Sequence, residues 1–112
     1  MWIDTHAHLF DLTSERLDKT IHEAVQSSVG LIISTAVDIE TGKKVISHCR
    51  QFPDLYGAIG ISPFDIENAN VNWAAMLRSM IKEPKIIAVG EIGFDSSNPK
   101  YPPIEKQLPF FI

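Results

Sequence analysis

The sequence is poor in the residues that mark several large classes of protein. It has a single cysteine, Cys49, which excludes an internal disulfide and a zinc site built from several thiolates. No apolar run approaches the ~20 residues that a helix needs to cross a bilayer. The first residues also lack the basic start and apolar stretch of a signal peptide. We therefore expect a cytoplasmic protein with no membrane partner.

Positive charge is scarce as well. The formal net charge of the 112 residues is -4, and Lys43-Lys44 is the only adjacent basic pair. The sequence does not predict a broad basic surface that would bind a nucleic-acid backbone. A metal site that binds one or two phosphates would not need such a surface. With 45% hydrophobic and 21% charged residues, the composition is that of a globular chain with a modest core.

The chain does contain a regular alternation of short apolar runs and amphipathic segments. The apolar runs predict four strands, at 2–5, 31–35, 55–61 and 85–91. The segments between them predict helices at 14–26, 39–51 and 70–82, with Ser14 and Asp38 as N-caps and prolines ending the last two. Strands that alternate with helices predict βαβ units and a parallel sheet.

Two α/β architectures fit this alternation, and its periodicity does not separate them. One is a small, open, doubly wound sheet, and the other is the first half of a (β/α)8 TIM-type barrel. Residues 104–112 begin a fourth helical pattern and stop on three large apolar residues. We therefore expect a single domain over 1–112 that is truncated within an element, whose open sheet edges favour a homo-oligomer.

Two histidines follow the first strand closely. In extended chain, residues two apart point to one face, so the imidazoles of His6 and His8 can converge on one metal ion. Asp4 shares their parity and could orient a ligating ring. Glu91 closes the fourth strand, and the carboxyl ends of parallel strands meet at one edge of the sheet. The alternatives are an accidental histidine pair and an ordinary strand-end carboxylate.

Two segments carry a family resemblance, Ile3-Asp4-Thr5-His6-Ala7-His8-Leu9 and Ala88-Val89-Gly90-Glu91-Ile92-Gly93-Phe94-Asp95. They resemble the TatD-related deoxyribonucleases, metal-dependent hydrolases of the amidohydrolase superfamily. The resemblance implies a (β/α)8 barrel of ~250 residues, of which this chain supplies about four strands.

The resemblance also implies an activity, the hydrolysis of phosphodiester bonds in DNA or of another phosphate ester. His6 and His8 would bind one divalent ion (zinc, manganese or magnesium), and Glu91 would bridge to a second. The remaining ligands and the general base would lie in the second half of the barrel, so this chain alone is expected to be inactive.

One segment departs from the family pattern. Gly60-Ile61-Ser62-Pro63-Phe64 stands where the family carries Gly-Ile/Val-His-Pro-His. Ser62 can hydrogen-bond a substrate oxygen, but it is a weak metal ligand. Asp95 could reach the site as a hydrogen-bond acceptor, or it could be a turn residue. The departure keeps open a second hypothesis, a catalytically inactive member that retains the fold and a metal.

Overall fold

The computed structural model describes residues 1–111. Within that range four parallel strands lie in the order β1-β2-β3-β4. The elements follow one another as β1 (Trp2–Ala7), α1 (Ser14–Gln26), β2 (Val29–Thr35), α2 (Ile39–Gln51), β3 (Leu55–Ala58), α3 (Trp73–Met80), β4 (Ile86–Ala88) and α4 (Ile104–Phe111), with a short 3-10 helix at Ile66–Asn68 before α3. The predicted alternation of strands and helices is confirmed.

The order of the strands separates the two architectures that the sequence left open. A doubly wound sheet reverses its strand order at a switch point, whereas here each strand pairs with the next one along the chain. Right-handed crossovers then put all the helices on the same face of the sheet. Leu17, Val45, Leu55 and Ile59 are completely buried in the core. This is the arrangement of half a (β/α)8 barrel.

The helix starts show one confirmed prediction and one error. Asp38 is the N-cap of α2, where its carboxylate accepts from the Thr41 amide at 2.7 Å while the Thr41 hydroxyl accepts from the Asp38 amide at 3.0 Å. The prediction for α1 is wrong by one residue. Thr13, not Ser14, is extended and accepts from the Arg16 amide through its hydroxyl.

The last two strands and α3 are shorter than predicted. Beyond Ala58 and Ala88 the chain leaves the regular ladder but stays hydrogen-bonded across the end of the sheet. The Ile59 amide donates to Ala88 at 3.3 Å, and the Gly90 amide donates to Ile59 at 3.1 Å. α3 begins at Trp73 instead of residue 70 because Asn70 forms a side-chain turn with the following residues. No helix within residues 1–111 combines the length and apolar character that a bilayer span requires.

Lys85, just before β4, ties that strand to the end of α2. Its ammonium group donates to the carbonyls of Cys49 at 3.0 Å, of Pro53 at 2.8 Å and of Phe52. These carbonyls lie at the C-terminus of α2, where the helix leaves acceptors without partners and its dipole attracts a cation. The lysine therefore acts as a C-cap supplied by a distant part of the chain.

Replacing Lys85 with methionine should lower the free energy of unfolding by about 1–3 kcal/mol, because partly buried carbonyls lose their donor while the apolar stem is kept. Urea unfolding followed by circular dichroism measures the change. Lys19→Met is the matched control, since that side chain is 75% exposed and forms only a surface pair with Glu23. Equal effects of the two substitutions would contradict the capping role.

Candidate metal centre

Three side chains converge at the carboxyl ends of β1 and β4. The Nε2 atoms of His6 and His8 lie 3.2 Å apart. The Glu91 Oε2 atom lies 3.6 Å from the His6 Nε2 atom and 3.7 Å from the His8 Nε2 atom. The structure thus brings together the three residues that the sequence proposed as metal ligands. We refer to His6, His8 and Glu91 as the ligand cluster.

A bulge in β1 shapes the first part of the cluster. Asp4 pairs with Ile32 and Ala7 with Ser34, so β1 has one more residue than β2 over this interval. Such bulges re-aim side chains and take a backbone amide out of the ladder. The Asp4 carboxylate accepts from the backbone amide of His6 at 3.0 Å. The contact that Asp4 makes is thus with the backbone that carries the His6 ring, and its role in orienting a ligating ring stays a prediction.

Thr35, at the end of β2, fixes the ring of His8. The His8 Nδ1 atom lies 2.9 Å from the Thr35 carbonyl oxygen, which can only accept. The hydrogen of a neutral His8 is therefore on Nδ1, and the lone pair on Nε2 faces His6 and Glu91. This contact could not be predicted from the sequence, because a backbone carbonyl leaves no side-chain signal.

Glu91 is held by its backbone against the ends of the two central strands. Its amide donates to the Ala36 carbonyl at 2.9 Å. Gly60, which follows β3, allows the close approach: a β-carbon there would stand 2.4 Å from the Glu91 carbonyl oxygen and 2.8 Å from the Gly90 carbonyl carbon. The position of Glu91 thus depends on the absence of a side chain at residue 60.

The geometry of the cluster suits a divalent ion. A tetrahedral ion with metal–nitrogen distances of about 2.1 Å separates its ligand atoms by roughly 3.4 Å. The observed separations are 3.2, 3.6 and 3.7 Å. Two imidazoles and one carboxylate form a donor set that binds zinc and manganese well and magnesium less well. The residues present therefore fit the group that the sequence predicted.

The cluster is open to solvent and borders a cavity. The side chains of His6, His8 and Glu91 are 54%, 42% and 35% exposed. A cavity of about 290 Å³ lies beside them, between the ends of the strands, with His6, Thr35 and Glu91 in its wall. A small phosphate group could therefore approach a bound ion directly.

The loop after β3 contains two polar residues, Ser62 and Asp65. Ser62 is buried, and its hydroxyl accepts from the Phe64 amide at 3.3 Å, so the predicted substrate contact would require this loop to open. Burial, with the carboxylates of Asp38 and Glu91, raises the pKa of Asp65, while a hydrogen bond with Ser62 opposes the change. The negative charge of Glu91 thus opposes ionisation of Asp65, which directly follows Phe64 and which the sequence alone did not single out.

Asp95 takes part in a turn. Its carboxylate accepts from the Ser97 amide at 2.8 Å and from the Ser97 hydroxyl at 2.6 Å, and these bonds lower the pKa of Asp95. Gln107 of α4 bonds the backbone of Asp95 on both sides, at 2.9 and 2.7 Å. The contacts of Asp95 are therefore those of a turn residue, and none of them joins Asp95 to the ligand cluster.

Comparison with known proteins gives a consistent result. Residues 3–112 match the model of a family described as TatD related DNase. An uncharacterized metal-dependent hydrolase from Escherichia coli, YjjV, is 33% identical in an alignment of 97 residues that covers 84% of this chain and 38% of YjjV. The 3'-5' ssDNA/RNA exonuclease TatD of Cronobacter turicensis is 27% identical over 93 residues, which are 83% of this chain and 35% of that enzyme.

The fold agrees with the sequence match. The crystal structure of E. coli YjjV, a TatD homologue, superposes with a TM-score of 0.85 at 30% identity, over 98% of this chain and 43% of YjjV. The chain therefore spans less than half the length of the relatives that it matches. The part that it spans corresponds to the first four strands of the barrel.

Proposed function

Because the chain belongs to the TatD-related DNase family, we propose that it provides the first metal ligands of a hydrolase that cleaves phosphodiester bonds in single-stranded DNA. The observation that carries the proposal is the convergence of His6, His8 and Glu91 within 3.7 Å of one another. The name of the Cronobacter relative, a 3'-5' ssDNA/RNA exonuclease, supports the choice of substrate. The cytoplasmic location remains a prediction.

Each residue of the cluster has a separate part in this mechanism. His6, His8 and Glu91 would hold a zinc, manganese or magnesium ion, and the chemistry supplied by that ion would be a lower pKa of a bound water and polarisation of a phosphoryl oxygen. His6 and His8 bind as neutral rings through Nε2, and the Thr35 carbonyl keeps the His8 ring in the required tautomer. Glu91 adds a negative charge that partly balances the ion and could bridge to a second one.

The two residues that stand where the family carries histidines, Ser62 and Phe64, supply no proton shuttle. In the loop after β3, where the family carries two histidines, this chain has Ser62 and Phe64. Ser62 is engaged within its own loop, and Phe64 packs edge-on against Tyr101 with the ring centroids 5.2 Å apart. We therefore expect residues 1–112 to bind metal but to need the second half of a barrel for turnover.

Complementation tests this function. Residues 1–112 are refolded with the C-terminal half of E. coli YjjV, and release of nucleotides from an end-labelled single-stranded oligonucleotide is followed with Mn²⁺ present. We expect cleavage only when both parts are present. Glu91→Gln, which keeps the size and removes the charge, should reduce the rate at least ~100-fold.

The outcomes of this experiment separate the two hypotheses. A complemented barrel that binds Mn²⁺ and does not cleave would identify an inactive family member that keeps its metal. Cleavage that Glu91→Gln leaves unchanged would show that the activity comes from elsewhere, and the proposed role of the ligand cluster would be abandoned.

A further inference from the structure

Two aromatic side chains meet between the loops that follow β3 and β4. Phe64 lies on the first of these loops and Tyr101 on the second. Their ring centroids are 5.2 Å apart, and the ring planes are inclined by 71°. An edge-to-face contact of this kind covers only one of the four ring faces, and Phe64 remains 56% exposed. We refer to Phe64 and Tyr101 as the aromatic pair, which presents a free aromatic face to solvent.

The aromatic pair lies at the same end of the sheet as the ligand cluster. Glu91 precedes Tyr101 by ten residues on the loop after β4. On the loop after β3, the backbone of Gly60 lies directly against residues 90 and 91. Phe64 follows Gly60 by four residues, and four residues of chain reach at most ~14 Å. A strand whose phosphate meets the ligand cluster can therefore bring a nearby base to the aromatic pair.

We infer that the aromatic pair is a stacking site for a base of the single-stranded nucleic acid that the hydrolase cleaves. The identity of this ligand rests on the proposed function. Every base has a π-face, so aromatic side chains hold single strands with little regard to sequence. In a duplex those faces are stacked on neighbouring bases, and the site therefore selects single strands.

Backbone hydrogen bonds hold both rings in place before a base arrives. The Asp65 amide donates to the Ser62 carbonyl at 2.9 Å, and the Phe64 amide donates to the Ser62 hydroxyl at 3.3 Å. On the other loop, the Tyr101 amide donates to the Asn98 carbonyl at 3.0 Å. A platform that is already ordered loses little conformational entropy when a ligand stacks on it.

The exposure of Phe64 does not come from an open edge of the sheet. Its loop follows β3, which lies between β2 and β4, and the loops after the strands of a complete barrel surround the active site. Lys100, beside Tyr101, is also exposed. None of the ion pairs within residues 1–111 includes Lys100. Its ammonium group is thus available to a phosphate of the stacked nucleotide.

Photo-cross-linking tests where the base lies. The chain is loaded with Zn²⁺, mixed with an oligothymidine strand that carries one 5-iodouracil base, and irradiated. We expect mass spectrometry to find the base attached to Phe64 or Tyr101. Unlabelled oligothymidine should suppress the product, whereas an abasic strand with the same number of phosphates should not. Cross-links confined to other residues, or no cross-link at all, would overturn the stacking site.

A variant that loses the ring and keeps the apolar contact separates stacking from packing. We expect Phe64→Leu to weaken the binding of a labelled oligothymidine strand roughly 5- to 100-fold in fluorescence anisotropy and to leave the binding of the abasic strand unchanged. Phe64→Trp keeps an aromatic face and should bind at least as tightly as the unsubstituted chain.

Phe52→Leu is the matched control, because it makes the same change at the opposite end of the sheet, just before β3. We expect it to bind both strands like the unsubstituted chain. If the two leucine variants behave alike, or if Phe64→Leu loses affinity for both strands equally, the ring has only a structural role.

The stacking site and the hydrolase can fail independently. In the complemented barrel, Phe64→Leu should raise the KM for the oligonucleotide and leave kcat unchanged, because the ring contacts a base and not the reacting phosphate. Cleavage with an unchanged KM would overturn the stacking site and leave the hydrolase in place. A cross-link to the aromatic pair without any cleavage would support the stacking site and overturn the proposed hydrolysis.

Discussion

Replacing His8 with alanine should weaken the binding of Zn²⁺ by more than about 100-fold. The substitution removes one of three ligand atoms and leaves the Thr35 carbonyl without its donor. Loss of a residue that merely orients a ligand costs about 10–100-fold in metal affinity, and loss of the ligand itself costs more. With only His6 and Glu91 left from the cluster, the remaining pair should hold an ion no better than many exposed surface sites.

Titration of Zn²⁺ in competition with a chromophoric chelator measures this loss. His22→Ala is the matched control, because it removes the same side chain from α1, outside the ligand cluster. We expect His22→Ala to bind like the unsubstituted chain. If both variants lose affinity equally, the ion is bound elsewhere and the ligand cluster is not the metal centre.

The convergence of His6, His8 and Glu91 could be predicted from the sequence because it depends on two simple rules of strand geometry. Residues two apart in an extended chain share a face, which joins His6 to His8. The carboxyl ends of parallel strands lie at one edge of the sheet. This brings Glu91 close to both histidines, although it lies 83 residues after His8 in the chain. Neither rule depends on the number of strands in the sheet. The predicted convergence of these three residues is therefore the same for an open sheet and for a barrel.

The supporting contacts could not be found in this way, because the backbone makes most of them. The carbonyl of Thr35 and the close approach at Gly60 depend on how the strand ends pack, and no side-chain pattern reports that. Asp4 shows the same limit: the bulge in β1 gives its carboxylate a backbone amide to accept from, and the parity of Asp4 with His6 does not predict that contact. The N-cap of α1 is a smaller example of the same limit. Thr13 and Ser14 are neighbouring hydroxyl residues, and either could cap the helix.

Gly60 offers the sharpest test of those backbone contacts. Alanine at this position puts a β-carbon 2.4 Å from the Glu91 carbonyl oxygen, and the obstructing atoms belong to the backbone of residues 90 and 91. They cannot rotate away as a side chain could, so the segment that carries Glu91 has to move. We expect Gly60→Ala to lower the free energy of unfolding by about 1–3 kcal/mol and to weaken Zn²⁺ binding at least ~10-fold, although no ligand is removed.

Gly30→Ala makes the same chemical change on β2 and serves as its control. There the β-carbon would meet the side chain of Met1, whose 93% exposure lets it turn aside. We expect this variant to keep both its stability and its affinity for Zn²⁺, measured by urea unfolding and by the same chelator competition. If Gly60→Ala is destabilised and yet binds Zn²⁺ normally, the Glu91 carboxylate reaches the ion without help from its backbone position. A parallel loss of stability and affinity, in contrast, would show that the ligand cluster depends on the packing of the segments that follow β3 and β4 as much as on its three side chains.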